Sequence, residues 1–218
     1  MLDLKVFAIV PVKNFERGKS RLQSLLTVED RIKLSELFLD LTLNTLTNTP
    51  VISEVIIVSS DIRAEEIVKK YDAIFLGEKK DQGVNAAVAL ADTYISECIV
   101  DASIVIPQDL PLLLPKDIEY ICAEAQNHER CLVICPSIRF DGSNALLRRP
   151  PLLLKTSYEH DSYNIHIKKA KALNATVKVI PIKRIMIDID TIEDIRKIIK
   201  FSSANKVVAF LKSKMKKI

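Results

Sequence analysis

Three carboxylates and a set of cations are the residues of this chain whose types and positions could do chemistry together. Asp109 follows the apolar run Ile104-Val105-Ile106 within DASIVIPQDLPLLLP (101–115), and Asp188 and Asp190 close a second apolar run, RIMIDID (184–190). A loop after the first apolar run, KNFERGKSRL (13–22), carries Lys13, Arg17, Lys19 and Arg21 beside Gly18, one of only four glycines. Two carboxylates from separate strand ends suit Mg²⁺, whose octahedron is otherwise filled by water and phosphate oxygens. Lysines and arginines facing them would neutralise a triphosphate. Asp109 could equally be a cap on the turn before a helix, and strand-end loops carry glycines and charges in any α/β protein.

These residues converge only if the elements bearing them end on one edge of a sheet. Val6–Val12 (VFAIVPV) is continuously apolar, as a strand buried on both faces is, and similar short runs stand at 54–59, 73–76, 103–107 and 131–136. Between them the spacing predicts helices. Thr27, with Asp30 three residues on, marks the start of a long one, and further helices are expected over 62–71, 86–98 and 116–127. The alternation argues a mostly parallel sheet with helices on both faces, where ligands sit outside the carboxyl ends of the strands. Beyond 136 the pattern is less regular. The segment 145–154, with two arginines and two prolines, has no assigned element; a helix is read over 161–173, strands over 176–180 and 184–189, and a helix over 192–199 capped by Thr191. Residues 201–218 form a basic amphipathic stretch, expected to pack on the domain or to serve in a homodimer rather than to bind a membrane.

Composition narrows the function classes. A chain of 218 residues with 48% hydrophobic residues can bury the core of one domain. Its net charge of +4 is too weak a bias to argue for nucleic acid, though it suits small anions. No apolar run approaches the roughly 18 to 20 residues of a membrane span, and the first residues lack the pattern of a signal peptide, so a cytoplasmic location is expected. Cys98, Cys122, Cys131 and Cys135 include no C-x-x-C pair. On one strand Cys131 and Cys135 would stand roughly 13 Å apart, so they read as buried free thiols.

Taken in order, VPVKNFERGKSRL (10–22), DQGVNAA (81–87), QDLPLL (108–113), DGSNALLRRPP (141–151), SYNIH (162–166) and DIDTIEDI (188–195) cover nearly the whole chain. The set resembles the CofC family of 2-phospho-L-lactate guanylyltransferases, which act in coenzyme F-420 biosynthesis. The resemblance implies a single-domain, three-layer α/β nucleotidyltransferase fold with a mostly parallel mixed sheet, similar to GT-A glycosyltransferases and molybdenum-cofactor (MobA-like) guanylyltransferases. It implies GTP and a phosphorylated three-carbon acid as substrates and Mg²⁺ as cofactor. Asp109 and Asp188 match the family's metal-binding acids, with Asp190 as a third candidate. Lys13, Lys19 and Arg21 would meet the GTP phosphates, and Gln82, Gly83 and Asn85 would read the base and ribose. Ser143, Ser162 and Arg149, aided by Arg148, would contact the acid.

The chain also departs from that pattern. Relatives carry F-G-P-x-S where this sequence has Tyr158-Glu159-His160-Asp161-Ser162, so Glu159 brings a negative charge to a loop facing an anion. His166 matches a family histidine, although a lone helical histidine is more often structural. Two other readings stand beside the first. One is a nucleotide-sugar synthase or glycosyltransferase on the same fold, which the missing glycine-rich L-x-G-G-x-G loop disfavours. The other, motivated by Glu159, is a catalytically silent nucleotide-binding protein.

Overall fold

A computed structural model describes residues 4–200 and 205–215. Seven strands form one sheet: β1 (Val6–Val12), β2 (Ile52–Ser59), β3 (Ile74–Gly77), β4 (Ala102–Val105), β5 (Cys131–Pro136), β6 (Ser143–Arg149) and β7 (Thr176–Val179). Their order across the sheet is β3-β2-β1-β4-β6-β5-β7. β6 runs antiparallel to both β4 and β5, and every other pairing is parallel. The strands are near-continuous apolar runs because helices cover both faces.

Alternate residues of each strand feed different layers. Val6, Ala8, Val10, Ile104 and Val133 point to a core shared with α1 (Val28–Thr47), α2 (Ile62–Val68) and α4 (Pro115–Ala125). Phe7, Ile9, Ile56, Leu132 and Ile134 point the other way, to α3 (Val84–Ile95) and α5 (Ser162–Ala172). The result is the expected three-layer α/β sandwich. Thr27 caps α1 as its sequence spacing predicts, accepting the Asp30 amide at 3.2 Å. A smaller core joins the outer side of α1, through Leu34 and Phe38, to α6 (Ile192–Lys200) and α7 (Lys206–Met215). The C-terminal amphipathic stretch thus packs on the domain, burying Val207, Val208 and Leu211; its residues 201–204 and 216–218 lie outside the described residues. No helix among the described residues is long and apolar enough to cross a membrane.

Two elements differ from the sequence expectation. A strand, β6, buried from Ser143 to Arg148, takes in the end of the loop read over 141–144 and the first five residues of the unassigned segment 145–154. Its arginine obscures the pattern, because Arg148 is fully buried in mid-sheet. There its guanidinium makes a bidentate pair with Asp92 of α3 at 2.9 and 2.6 Å, and it also donates to Ser103 Oγ and the Leu154 carbonyl. Conversely, 184–189 is not a strand. Ile185, Met186, Ile187 and Ile189 are buried, but the chain there turns back on Ile182 and crosses the end of the sheet without a ladder. The four cysteines are free, and burial raises the Cys122 and Cys135 thiols to about 12, which makes them inert packing groups.

Removing one member of the buried Arg148–Asp92 pair leaves a charge in the core. Asp92→Ala is expected to lower the unfolding free energy by about 3 kcal/mol, measured by urea titration; a loss within error of zero would mean that water reaches the guanidinium.

Candidate active site

The carboxyl ends of β1 and β4 and the amino end of the reversed strand β6 meet at one edge of the sheet, around a cleft of about 680 Å³. It lies where ligands of open α/β sheets are held. Lys13, Lys19 and Arg21 border it from the loop after β1, Gln108 and Asp109 from the loop after β4, and Ser143 and Asn144 from β6. Asp188, Asp190 and Ser162 complete the wall.

Carboxylate oxygens of Asp109, Asp188 and Asp190 lie within 4.8 Å of one another. Holding them together takes several bonds from neighbouring elements. Thr42 of α1 donates to the Gln108 carbonyl at 3.0 Å, the Ile189 amide donates to the Asp109 carbonyl at 3.3 Å, and Asn144 Nδ2 donates to Asp188 Oδ1 at 3.2 Å and to the Ile185 carbonyl at 2.9 Å. Thr191 and Asp194 form a reciprocal cap that starts α6 directly after Asp190.

The ammonium of Lys19 sits among these acids, hydrogen-bonded to Asp109 and, at 2.9 Å, to Asp190. Burial alone would push its proton off, but the charges of Asp109 and Asp190 outweigh that and hold it protonated well above the usual lysine range. Burial likewise pushes Asp190 up, and the Lys19 charge more than reverses it, so Asp190 is held low. Asp188 is not paired with Lys19. Burial first, and the neighbouring Asp109 charge second, raise its carboxyl above the ordinary value. One ammonium among three carboxylates leaves two negative charges without a buried counter-charge.

Backbone strain gathers at the same place. Lys19, Phe140 and Asp161 are non-glycine residues in the left-handed region, at φ of 53°, 58° and 53°. Lys19 and Asp161 line the cleft, and Phe140 stands between the lining residues Arg139 and Asp141. Such conformations cost on the order of 1 kcal/mol each and persist where the surroundings over-determine them. For Lys19 the surroundings are explicit: Asp61 accepts the Phe15 amide at 2.8 Å and caps α2, so the basic loop is tied to the body of the domain.

On the far wall, Ser143 Oγ lies 2.9 Å from His166 Nδ1 and 3.2 Å from Ser162 Oγ. The Ser157 amide donates to His166 Nε2 at 2.8 Å. Ser162 opens α5, whose N-cap residue Asp161 makes no side-chain cap; its carboxylate accepts the Asn164 side-chain amide instead. Of the first amides of the helix, that of Tyr163 donates to the Asp141 carbonyl at 3.5 Å, and those of Ser162 and Asn164 are left for an anion. Burial foremost, then the charges of Lys169 and Arg148, lower His166 to about 4.

Not every expected site residue reaches the cleft. Arg149 does not: six residues from Ser143 along an extended strand, it lies roughly 20 Å away at the opposite edge. There its guanidinium caps α4 through the carbonyl oxygens of Ala125 and Gln126. Arg148 is the buried partner of Asp92. Asn85 accepts the Tyr158 amide at 2.9 Å, and so braces the loop that leads to Ser162. Gly83, at φ 89°, begins α3 and with Lys13 borders a small depression beside the cleft, while Gln82 is exposed nearby. Sequence reasoning gave no role to Asn144, Gln108 or Tyr158. Asn144 had a usable signal, an amide next to Ser143 in a motif already singled out.

A mostly parallel sheet with one reversed strand and an acid-lined cleft at its carboxyl edge is the fold of solved nucleotidyltransferases, among them one from Methanothermobacter, with a TM-score of 0.64 at 14% identity over 97% of this chain and 99% of that one. A protein of Desulfovibrio desulfuricans G20, assigned as a nucleotide-diphospho-sugar transferase, has the same fold, with a TM-score of 0.76 at 17% identity over 95% of this chain and 94% of that one. Within the class the chain belongs to the family described as guanylyl transferase CofC like, whose model matches residues 6–217. It is 31% identical to the phosphoenolpyruvate guanylyltransferase of Conexibacter woesei over 88% of this chain and 86% of the relative. It is 30% identical to the 2-phospho-L-lactate guanylyltransferase of Methanocaldococcus jannaschii over 96% and 89%.

The low value of His166 makes a stability prediction. The unfolded chain takes up a proton near pH 6.5 that the folded chain refuses until about pH 4, so the contribution of neutral His166 is complete above pH 6.5 and lost as pH falls towards 4. Denaturant unfolding should show the wild type losing on the order of 3 kcal/mol relative to His166→Asn over that interval. Parallel losses in the two proteins would mean that the imidazole charges in place.

Proposed function

We propose that this protein transfers GMP from GTP to a phosphorylated three-carbon acid, 2-phospho-L-lactate or phosphoenolpyruvate, releasing pyrophosphate, as a step of coenzyme F-420 biosynthesis. The observation that carries the proposal is the wall-to-wall division of the cleft. Acids and cations suited to a metal triphosphate stand on one side, and an anion pocket of two serine hydroxyls and a helix amino terminus stands on the other. Family membership and the names of the relatives support the same reaction.

The chemistry asks little of the protein beyond alignment. A phosphomonoester loses its second proton near pH 6, so at neutral pH its oxygen is already an ionised nucleophile toward the α-phosphorus of GTP. A new P–O bond forms as the bond to the pyrophosphate oxygen breaks, and no proton needs to be removed first. What opposes the reaction is the repulsion of two anions brought together. Lys13, Lys19 and Arg21 line the cleft and would offset the triphosphate charge, and Ser143 and Ser162, which line it too, would hold the acid in line.

The donor set fits Mg²⁺. Three carboxylates converge with a surplus of negative charge, and they are hard oxygen ligands on an open wall. Asp109, Asp188 and Asp190 would hold the ion, which when bound would withdraw charge from the phosphate oxygens as a Lewis acid. Glu159 is exposed on the cleft wall beside the anion pocket, which makes it the residue that sets the size and charge of the acid accepted.

Incubation with GTP and Mg²⁺ should release pyrophosphate in the presence of phospholactate or phosphoenolpyruvate and not with either substrate alone. Release with no phosphorylated acid would refute the proposal, and preference for a sugar phosphate would return the protein to nucleotide-sugar synthesis. Asp109→Asn should keep its melting temperature and lose about 100-fold or more in turnover. Chelation of divalent ions should abolish turnover in the wild type, with recovery on adding Mg²⁺.

A further inference from the structure

His166 and Ser143 resemble, at first sight, the base and nucleophile of a hydrolase, with Nδ1 2.9 Å from the hydroxyl oxygen. The second ring nitrogen excludes that arrangement. A backbone amide can only donate, and the Ser157 amide is aimed at Nε2 from 2.8 Å, so Nε2 carries the lone pair. The neutral ring therefore has its proton on Nδ1, and Nδ1 donates to Ser143. A base needs the opposite tautomer.

The orientation is held from several sides. Lys169 Nζ donates to Ser157 Oγ at 2.6 Å and to the Lys155 carbonyl at 3.0 Å, which fixes the loop carrying the Ser157 amide. The Tyr158 ring meets the imidazole edge-on at 5.1 Å, and its own amide is held by Asn85. His166 is fully buried, so water does not compete for either nitrogen. Ser143 Oγ accepts from Nδ1 and also from Ser162 Oγ at 3.2 Å, so its own proton is left to point into the cleft.

We infer that His166 is a positioning residue that makes Ser143 a committed hydrogen-bond donor to the anionic acid, so that Ser143, which accepts from both Nδ1 and Ser162, presents a proton rather than a lone pair to it. The inference deepens the proposed acid site and rests on that assignment. A serine free to rotate would present a lone pair to the anion part of the time, and the fixed tautomer removes that option without adding a charge. It also confines the effect of His166 to the acid and leaves the triphosphate side untouched.

Two substitutions separate this role from packing. Asn at 166 can place an amide N–H near the Nδ1 position and donate to Ser143; Gln reaches towards Nε2 and cannot. His166→Gln should raise KM for the acid roughly tenfold, the worth of one lost hydrogen bond, with KM for GTP unchanged. His166→Asn should restore it to within about threefold of wild type. Equal increases in both KM values, or no increase in His166→Gln, would overturn the inference. A second measurement needs no substrate: ¹⁵N NMR of the ligand-free protein should show protonated Nδ1 and unprotonated Nε2, and the reverse tautomer would overturn the inference even in an active enzyme. Absence of pyrophosphate with every acid, alongside the expected tautomer, would instead remove the proposed reaction and with it the acid to which Ser143 donates.

Discussion

Three carboxylates forced to within 4.8 Å of one another repel, and the way this protein contains that repulsion governs much of its architecture. Lys19 supplies the counter-charge from a buried position that it reaches only in a left-handed backbone conformation, directly after the buried Gly18. The loop can hold that conformation because Asp61 fastens Phe15 to the start of α2. Asp109 is steadied from α1 through the Gln108 carbonyl and from the late chain through the Ile189 amide. Without these ties the acids would separate into water, where each is more stable alone.

The reversed strand β6 solves a second problem of placement. In a wholly parallel sheet only strand ends reach the ligand edge, and each is followed by a crossover. Reversal brings the beginning of β6 there, so Ser143 is supplied by backbone paired with Pro136 of β5, and Asn144 by the irregularity in the ladder between Ser143 and Ala145. Asn144 then orients Asp188, and Ser143 meets His166, from the first residues of that strand. Loops alone would give the anion pocket less precise walls.

Much of this was legible in the sequence because buried parallel strands announce themselves as apolar runs: β1, β2, β4 and β5 stand where VFAIVPV, EVIIVS, SIVIP and CLVICP predict. One of those runs places Asp109 at the cleft, whereas the sequence puts Asp188 and Asp190 there as the end of a strand over 184–189 that does not form; they reach the cleft on irregular chain instead. What escaped were elements whose composition contradicts their environment. β6 hid behind Arg148, a charge buried against Asp92 that only tertiary structure can neutralise. The run RIMIDI mimics a strand because its isoleucines and methionine are buried, yet no neighbouring strand is open to it. Arg149 was misplaced for a geometric reason: nearness in a motif is not nearness in space when the motif is extended, and Ser143 and Arg149 occupy opposite ends of one strand. Fold similarity at 17% identity shows how widely the scaffold tolerates substitution, whereas the family model matches residues 6–217, nearly the whole chain.

The order of the cleft residues along the chain has a consequence for how the molecule is made. Synthesis proceeds from the amino terminus, and early elements begin to fold before later ones exist. Lys19 and Asp109, which pair in the finished fold, are both made before the other two acids. Asp188 and Asp190 arrive some eighty residues later, close to the helices α6 and α7 that pack them against α1. The acids that repel Asp109 are thus made only after the cation that offsets them. The most repulsive part of the structure is assembled last, onto a cation already made.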